Sequence, residues 1–372
     1  MTGQRVSGKA GIERLLRRDL RAIEPYQPIQ PPGSVEGDGA TVNDAPIKLD
    51  GNENVYGPSP RVAGALQSLT GCHLYPDPEQ RELRTALAAY TGVEASHILA
   101  GAGSDELIDL LLRLLLEPGE QIITLLPTFG MYSFSAHVCG GNVIDVRRDA
   151  GYGVDVEQVL RAIAPGTKVI FVASPNNPTG NLTPAEDILR LLESGLLVVV
   201  DEAYYEFSGV TMALLVPQHE NLVVLRTFSK WAGLAGLRIG YGIFSPTLVS
   251  HLMAIKPPYN INVAAQTAAL ASLADTGYLH NTVHAITAER GRLFDKLAAL
   301  SSLRPLPSHA NFILCHCLQG DALRLQRALR RQGIYIRYFD TPLLQNAVRI
   351  SVGKPEHTDI LIDALKIWEE QL

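Results

Sequence analysis

Leu196-Leu197-Val198-Val199-Val200-Asp201-Glu202-Ala203-Tyr204 is the stretch on which the fold turns. Its first five residues are apolar without polar alternation. A strand of that kind is buried on both faces, as in a parallel sheet covered by helices. Two carboxylates follow at once, and a carboxylate ending such a strand is costly to bury unless it meets a cation. Working outward, short apolar strands alternate with helices. Strands are expected at 97–100, 121–125, 143–146, 168–172 and 222–225. Helices are expected at 79–91, 105–116, 129–139, 154–164 and 184–193, closed by glycines and prolines such as Gly92, Pro118-Gly119 and Gly140-Gly141. The fold class is therefore α/β, a mostly parallel sheet sandwiched by helices. Ligands in such folds bind beyond the carboxyl ends of the strands.

The pattern changes after Tyr259. A helix at 264–274 runs on into a long helical stretch at 279–300. Strands at 311–317, 334–337 and 350–352 then alternate with helices at 321–332 and 357–371, which reads as a second, smaller α/β lobe. At the other end, residues 8–23 read as a short charged helix, 25–39 as a Pro/Gly-rich extended passage, and Ile47-Lys48-Leu49 as a strand. The chain shows no internal repeat.

The 372 residues carry 32 Lys+Arg against 38 Asp+Glu, a net charge of −6, and nothing suggests the clustered positive charge of a nucleic-acid grip. Charged residues interrupt the N-terminus from Arg5 to Arg21, so no apolar signal core is expected there. No stretch approaches the roughly 20 apolar residues of a membrane span. Four cysteines in this length fit a reduced, cytoplasmic setting. Cys315-His316-Cys317 has the look of metal ligands. The alternation of Asn311-Phe312-Ile313-Leu314-Cys315-His316-Cys317 favours a strand with both thiols on the Ile313 face, and no metal site is expected.

Four clusters carry chemistry. Gly101-Ala102-Gly103-Ser104-Asp105-Glu106 joins a strand to a helix, where free N–H groups favour an anion, though Glu106 stands where a dinucleotide fingerprint needs glycine. Ser174-Pro175-Asn176-Asn177-Pro178-Thr179-Gly180 makes a stiff turn at a strand end. Asp201-Glu202-Ala203-Tyr204 is the third. The fourth is Thr227-Phe228-Ser229-Lys230 with Gly233-Leu234-Ala235-Gly236-Leu237-Arg238-Ile239-Gly240: small and apolar neighbours lower the pKa of Lys230 and make its amine nucleophilic, and Arg238 can fork onto a phosphate.

In this order the clusters resemble the fold-type I pyridoxal-phosphate enzymes, specifically the class I/II aminotransferases, and among them the histidinol-phosphate branch. The resemblance runs from about Lys48 to the C-terminus. It is also carried by Asn52-Glu53-Asn54-Val55-Tyr56-Gly57-Pro58-Ser59-Pro60, Tyr75-Pro76-Asp77-Pro78, Pro127-Thr128-Phe129-Gly130-Met131-Tyr132, Pro258-Tyr259-Asn260, Ala310-Asn311-Phe312 and Arg349-Ile350-Ser351-Val352-Gly353. It implies pyridoxal 5′-phosphate as cofactor, with Lys230 as its covalent attachment and proton carrier. Asp201 would pair with the pyridine nitrogen, Asn177 and Tyr204 with the 3′ oxygen, and Phe129 would stack on the ring. Gly103, Ser104, Asp105, Ser229 and Arg238 would hold the phosphate. Tyr75 would reach that phosphate in the partner subunit's site, which implies a homodimer with shared active sites.

For substrate, the resemblance gives Arg349 the α-carboxylate of glutamate, Arg337 a substrate phosphate, and Tyr56 a phosphate contact across the dimer. Asn176 shapes its turn and does not touch substrate. The implied reaction is amino transfer from L-histidinol phosphate to 2-oxoglutarate in histidine biosynthesis. Aromatic-amino-acid aminotransferases and phosphothreonine-type decarboxylases share most of these motifs. Ala102, where many relatives have Asn, and Val55, where many have Pro, lie near the phosphate and substrate ends and bear on specificity. The expected organisation is an N-terminal arm (1–45), the N-terminal part of a small domain (46–69), a large cofactor-binding domain (70–265) and the C-terminal small domain (266–372).

Overall fold

A computed structural model describes residues 12–21, 23–26, 28–29 and 46–372. The chain runs β1 (Ile47–Leu49), α1 (Pro60–Gln67), α2 (Arg81–Thr91), β2 (Ile98–Gly101), α3 (Ser104–Leu115), β3 (Gln121–Leu126), α4 (Met131–Val138) and β4 (Asn142–Arg147). It continues with α5 (Val156–Ala162), β5 (Thr167–Ala173), α6 (Ala185–Leu192), β6 (Leu197–Asp201), α7 (Tyr205–Ser208), β7 (Leu222–Thr227), β8 (Gly240–Ile243), α8 (Pro246–Ile255) and α9 (Val263–Leu273). The last elements are α10 (Thr276–Ala298), β9 (Leu303–Pro305), β10 (Phe312–Cys317), α11 (Ala322–Arg331), β11 (Ile334–Tyr338), β12 (Ala347–Ser351) and α12 (Pro355–Glu369).

Seven strands form the larger sheet in the order β2-β8-β7-β6-β5-β3-β4. β3 to β7 pair in parallel, and β8 runs against both its neighbours. The sheet is buried on both faces because its central strands are apolar at consecutive positions through their middles. Ile170, Val172, Val198, Val200 and Val224 enter one core, while Val169, Phe171, Val199, Val223 and Leu225 enter the other. Full burial of one such side chain contributes about 1.5–3 kcal/mol. The strand order places the ends of β5, β6 and β7 side by side, with Ala173 opposite Asp201 and Asp201 opposite Leu225.

The smaller sheet has the order β1-β11-β12-β10-β9. β1 pairs in parallel with β11, Ile47 opposite Ile334, which ties the N-terminal segment to the C-terminal third of the chain. The other pairings are antiparallel. Cys315, Cys317 and Ile313 share one buried cluster on β10, so the strand reading of that motif holds. Among the described residues no group of His, Cys, Asp and Glu could hold a metal, and no helix is long and apolar enough to cross a membrane.

Several expectations need correction. The described part of 8–23 is two 3-10 turns, Ile12–Leu15 and Arg18–Leu20, and not an α-helix. Arg17 is extended between them and spends its guanidinium on Asp19 and the Val138 carbonyl at the end of α4. An exposed charged segment of that length gains too little packing to offset helix nucleation. Residues 1–11 and 30–45, with most of the Pro/Gly passage, lie outside the described residues. The helix expected from 129 starts at Met131. The stretch expected to run from 264 to 300 breaks at Ala274-Asp275, where the Asp275 carboxylate accepts from Ser59 Oγ and pairs with Arg61 at 3.8 Å. Val352 follows β12 and does not belong to it. Helices α1 and α8 and strand β8 were not anticipated.

Candidate active site

The four clusters converge where the strands of the larger sheet end. After β2, Gly103 adopts φ +83° and leads directly into α3. A Cβ there would meet Arg238 Nη2 at 2.8 Å, and one on Gly240 would meet Ser104 N at 2.6 Å. The glycines thus keep a cradle open between the start of α3 and Arg238. Arg238 Nη2 donates to Asp105 Oδ2 at 2.9 Å and Nη1 to Ser229 Oγ at 3.4 Å. An arginine, a hydroxyl and a helix start form an anion site by their chemistry.

In the turn after β5 the two asparagines divide their work. Asn176 accepts from Thr128 Oγ1 (2.8 Å) and donates to the Pro127 carbonyl (2.9 Å) and Thr179 Oγ1 (2.6 Å), so it builds the turn. Asn177 faces the cleft, and its Oδ1 accepts from Arg349 Nη1 at 2.6 Å.

Asp201 ends β6, 5% exposed. Its Oδ2 accepts from Tyr132 Oη at 2.6 Å and its Oδ1 from the Ala203 N–H at 3.0 Å. Burial pushes its carboxyl up to about 6, against the pull of those two donors. Glu202, the second acid of the motif, turns away into a buried ion pair with Arg226 at 3.0 Å. Tyr204 lies edge-on to Phe312, and its oxygen accepts from Asn52 Nδ2 at 2.9 Å. Phe129 packs edge-on against Tyr132.

Lys230 follows β7 and its Nζ donates to the Gly51 carbonyl at 3.2 Å. Burial first, and then the Arg349 charge, push the amine down to about 8. From the smaller sheet, Arg337 and Arg349 are register partners on β11 and β12. Both guanidiniums stand over Phe339, at 5.5 and 5.7 Å. Arg349 also donates to the Asp50 carbonyl at 2.5 Å, and its buried Nε has no hydrogen-bond partner. Burial pushes its guanidinium down to about 10. Such a group favours an incoming carboxylate, which restores the lost solvation.

Lys230, Asp201, Asn177, Tyr204, Phe129, Gly103, Ser104, Asp105, Ser229, Arg238 and Arg349 therefore stand around one cleft, with Arg337 at its edge. The structure does not bring Tyr56 or Tyr75 into it. Tyr56 lies under the Lys354 amine, 5.7 Å from the ring centroid. Tyr75 is 81% exposed and stacks on Tyr259 at 4.4 Å.

Sequence reasoning missed Asp50, Gly51, Asn52, Tyr132 and Tyr26. Tyr132 lies three residues after Phe129 in the first turn of α4, and the Pro127–Tyr132 motif could have flagged it. Tyr26, in the arm, packs edge-on to Phe129 at 6.3 Å, and its phenol feels the charges of Arg337 and Arg349. No local pattern announces that placement.

Gly103→Ala tests the cradle. The methyl would force Arg238 aside at a φ that costs a non-glycine residue about 1–3 kcal/mol. Thermal unfolding should fall by several degrees, and inorganic phosphate should lose the stabilisation it confers on the wild type. Unchanged phosphate stabilisation would remove the cradle as the anion site.

Comparison with known proteins gives a consistent picture. The family model described as aminotransferase class I and II matches residues 44–365. A histidinol-phosphate aminotransferase of Dehalococcoides mccartyi is 48% identical over 354 residues, covering 95% of this chain and 98% of its own. A chloroplastic histidinol-phosphate aminotransferase of Nicotiana plumbaginifolia is 46% identical, covering 98% of this chain and 88% of its own. Among solved structures, histidinol-phosphate aminotransferase from Sinorhizobium meliloti in complex with pyridoxal-5′-phosphate has a TM-score of 0.79 at 31% identity, covering 86% of this chain and 89% of that one.

Proposed function

The chain belongs to the class I and II aminotransferases, and on that premise we propose that it moves an amino group from L-histidinol phosphate to 2-oxoglutarate, using pyridoxal 5′-phosphate, in histidine biosynthesis. The residues present fit the cofactor. The glycine-lined cradle beside Arg238 and Ser229 takes an anion of phosphate size. The Asp201 carboxylate, buried with only a hydroxyl and an amide as donors, accepts a cationic N–H. The Lys230 amine is poised for a carbonyl carbon. The single observation that carries the substrate reading is the register pair Arg337–Arg349. It sets two guanidiniums side by side, which suits a dicarboxylate acceptor and a phosphate-bearing donor in turn.

When bound, the cofactor supplies a carbonyl carbon for the substrate amine and a ring that accepts the electrons released at Cα. Arg238, Ser229 and the first amides of α3 would hold the phosphate. Asp201, kept in place by Tyr132, would hold a proton on the ring nitrogen. Asn177 and Tyr204 would hydrogen-bond the ring oxygen, and Phe129 would pack against the ring. Lys230 Nζ takes the proton from the substrate Cα and returns it on the other side of the transferred nitrogen. An amine near pH 8 is free often enough at neutral pH to serve as that base. Arg349 fixes the acceptor carboxylate, and the same site runs both half-reactions in turn. The exposed Tyr75–Tyr259 stack is the surface through which a second copy of the chain would receive Tyr75 into its site.

The decisive experiment is an absorption spectrum with the cofactor supplied. A visible band that L-histidinol phosphate bleaches and 2-oxoglutarate restores is expected. Bleaching by phenylalanine or tyrosine alone would move the substrate to the aromatic amino acids. No visible band would overturn the reading. Arg349→Lys keeps the charge and loses the fork held by Asn177 and Asp50. Its kcat/KM for 2-oxoglutarate should fall about 10- to 100-fold, the worth of one charge-assisted pair, and steady-state kinetics reads this directly.

A further inference from the structure

Three consecutive residues, Asp50-Gly51-Asn52, each touch a different member of the site. The Asp50 carbonyl accepts from Arg349 Nη2, the Gly51 carbonyl from Lys230 Nζ, and Asn52 Nδ2 donates to Tyr204 Oη. Asn52 is 1% exposed and sits at φ +53°, a conformation asparagine tolerates better than most residues. All its polar groups are used. Its N–H donates to Ser351 Oγ at 2.9 Å, and Ser351 Oγ donates back to Asn52 Oδ1 at 2.9 Å. Its carbonyl accepts from Asn311 Nδ2 at 3.0 Å.

This closed ring decides which way the amide faces. In the structure the Ser351 hydroxyl accepts from the Asn52 N–H and donates to Oδ1, which leaves the Asn52 NH2 to donate to Tyr204. The phenol oxygen is thereby an acceptor towards Asn52, and its own proton is left to point into the cleft. The charged and titratable groups around this phenol are Arg349 on β12, Asp201 on β6 and Tyr26 in the arm. We propose that Asn52 is a positioning residue that holds the Tyr204 hydroxyl as a hydrogen-bond donor towards the ring oxygen of the bound cofactor. It also ties that hydroxyl, through Ser351, to the strand that carries Arg349. The role towards the cofactor rests on the function proposed above; the orientation of Tyr204 rests on the geometry alone.

Asn52→Asp tests it with an isosteric side chain. Its carboxylate still accepts from Ser351, and its second oxygen can only accept from Tyr204, so the phenol proton turns away from the cleft. A donor that reaches an oxygen favours the oxygen's charged form, and losing it raises the pKa. The pH midpoint of the visible band in the holoenzyme should therefore rise by about one unit, tenfold in proton affinity. Tyr204→Phe should raise it similarly, and Asn52→Asp made in that background should add clearly less than it does beside the hydroxyl, only the direct effect of its new charge. Equal, additive shifts from Asn52→Asp with and without the Tyr204 hydroxyl would overturn the proposal.

A second readout needs no cofactor. A phenol buried against a carboxylate makes a short, charge-assisted hydrogen bond. Asn52→Asp should show a new far-downfield exchangeable proton in its NMR spectrum, absent from the wild type and from the double variant with Tyr204→Phe. Its absence in a folded Asn52→Asp protein would also overturn the proposal. A wild type with no visible band would sink the cofactor reading and leave this proton signal as the judge of the Tyr204 orientation.

Discussion

Replacing Lys230 by alanine is expected to lower kcat by at least about 1,000-fold, because the amine both attaches the cofactor and moves the proton. Treatment of the wild type with borohydride should leave the cofactor's mass on the peptide that contains Lys230, and the variant should carry none. The fold should survive. In the chain without cofactor, burial pushes this amine down to about 8, so the folded state binds its proton less readily than the unfolded state. Stability then rises with pH between about 8 and 10.5, and the cost of the buried amine is greatest below 8. Lys230→Ala should therefore melt no lower than the wild type at pH 7. A variant that melts well below the wild type would make its lost activity a folding effect and remove Lys230 from the mechanism on this evidence. Retained turnover would do so outright.

Asp201→Asn should separate stability from activity in opposite directions. Burial raises the Asp201 carboxyl from 3.8 to about 6 without cofactor. Between those values the folded state keeps a proton that the unfolded state has lost, so stability falls as pH rises through the window and stays low above 6. The loss amounts to about 3 kcal/mol. The amide cannot ionise, so the cofactor-free variant should gain stability over the cofactor-free wild type at pH 8 and gain little at pH 4. Denaturant unfolding at the two pH values checks the sign. With cofactor bound, an amide cannot hold the ring nitrogen protonated, and kcat should fall by about 100- to 1,000-fold, the usual worth of one preorganised electrostatic contact. A variant equally stable at both pH values relative to wild type would show that Asp201 is ionised and solvated at the strand end.

Much of the larger sheet was legible in one dimension. Strands such as Leu197–Val200 are apolar at consecutive positions, and burial on two faces is the arrangement that accommodates this. The turns between strand and helix are written in glycine, proline and asparagine, whose backbone preferences are local. Strand β8 escaped notice because Gly240 and Gly242 hide its β-propensity. The reason for Gly242 lies elsewhere in space: a Cβ there would meet Phe244 Cζ at 2.3 Å. The arm was misjudged because its turns are held by Arg17 on α4, a contact 121 residues away, and not by its own periodicity.

The same division runs through the site. Residue types and their order along the chain (carboxylate at the end of one strand, lysine after the next, arginine in the glycine-rich stretch that follows) follow from local chemistry and are already complete in the primary structure. What each group touches is another matter. That Glu202 faces Arg226 while Asp201 faces Tyr132 depends on which side of the sheet each carboxylate takes. That Arg349 is held by Asn177 and Asp50, and Tyr204 by Asn52, depends on β1 joining β11 almost 300 residues downstream. Hydrogen bonds act over about 3 Å and have no signature in the spacing of residues so far apart. Packing of the two sheets alone brings those donors and acceptors within that distance and so sets the direction in which each one points.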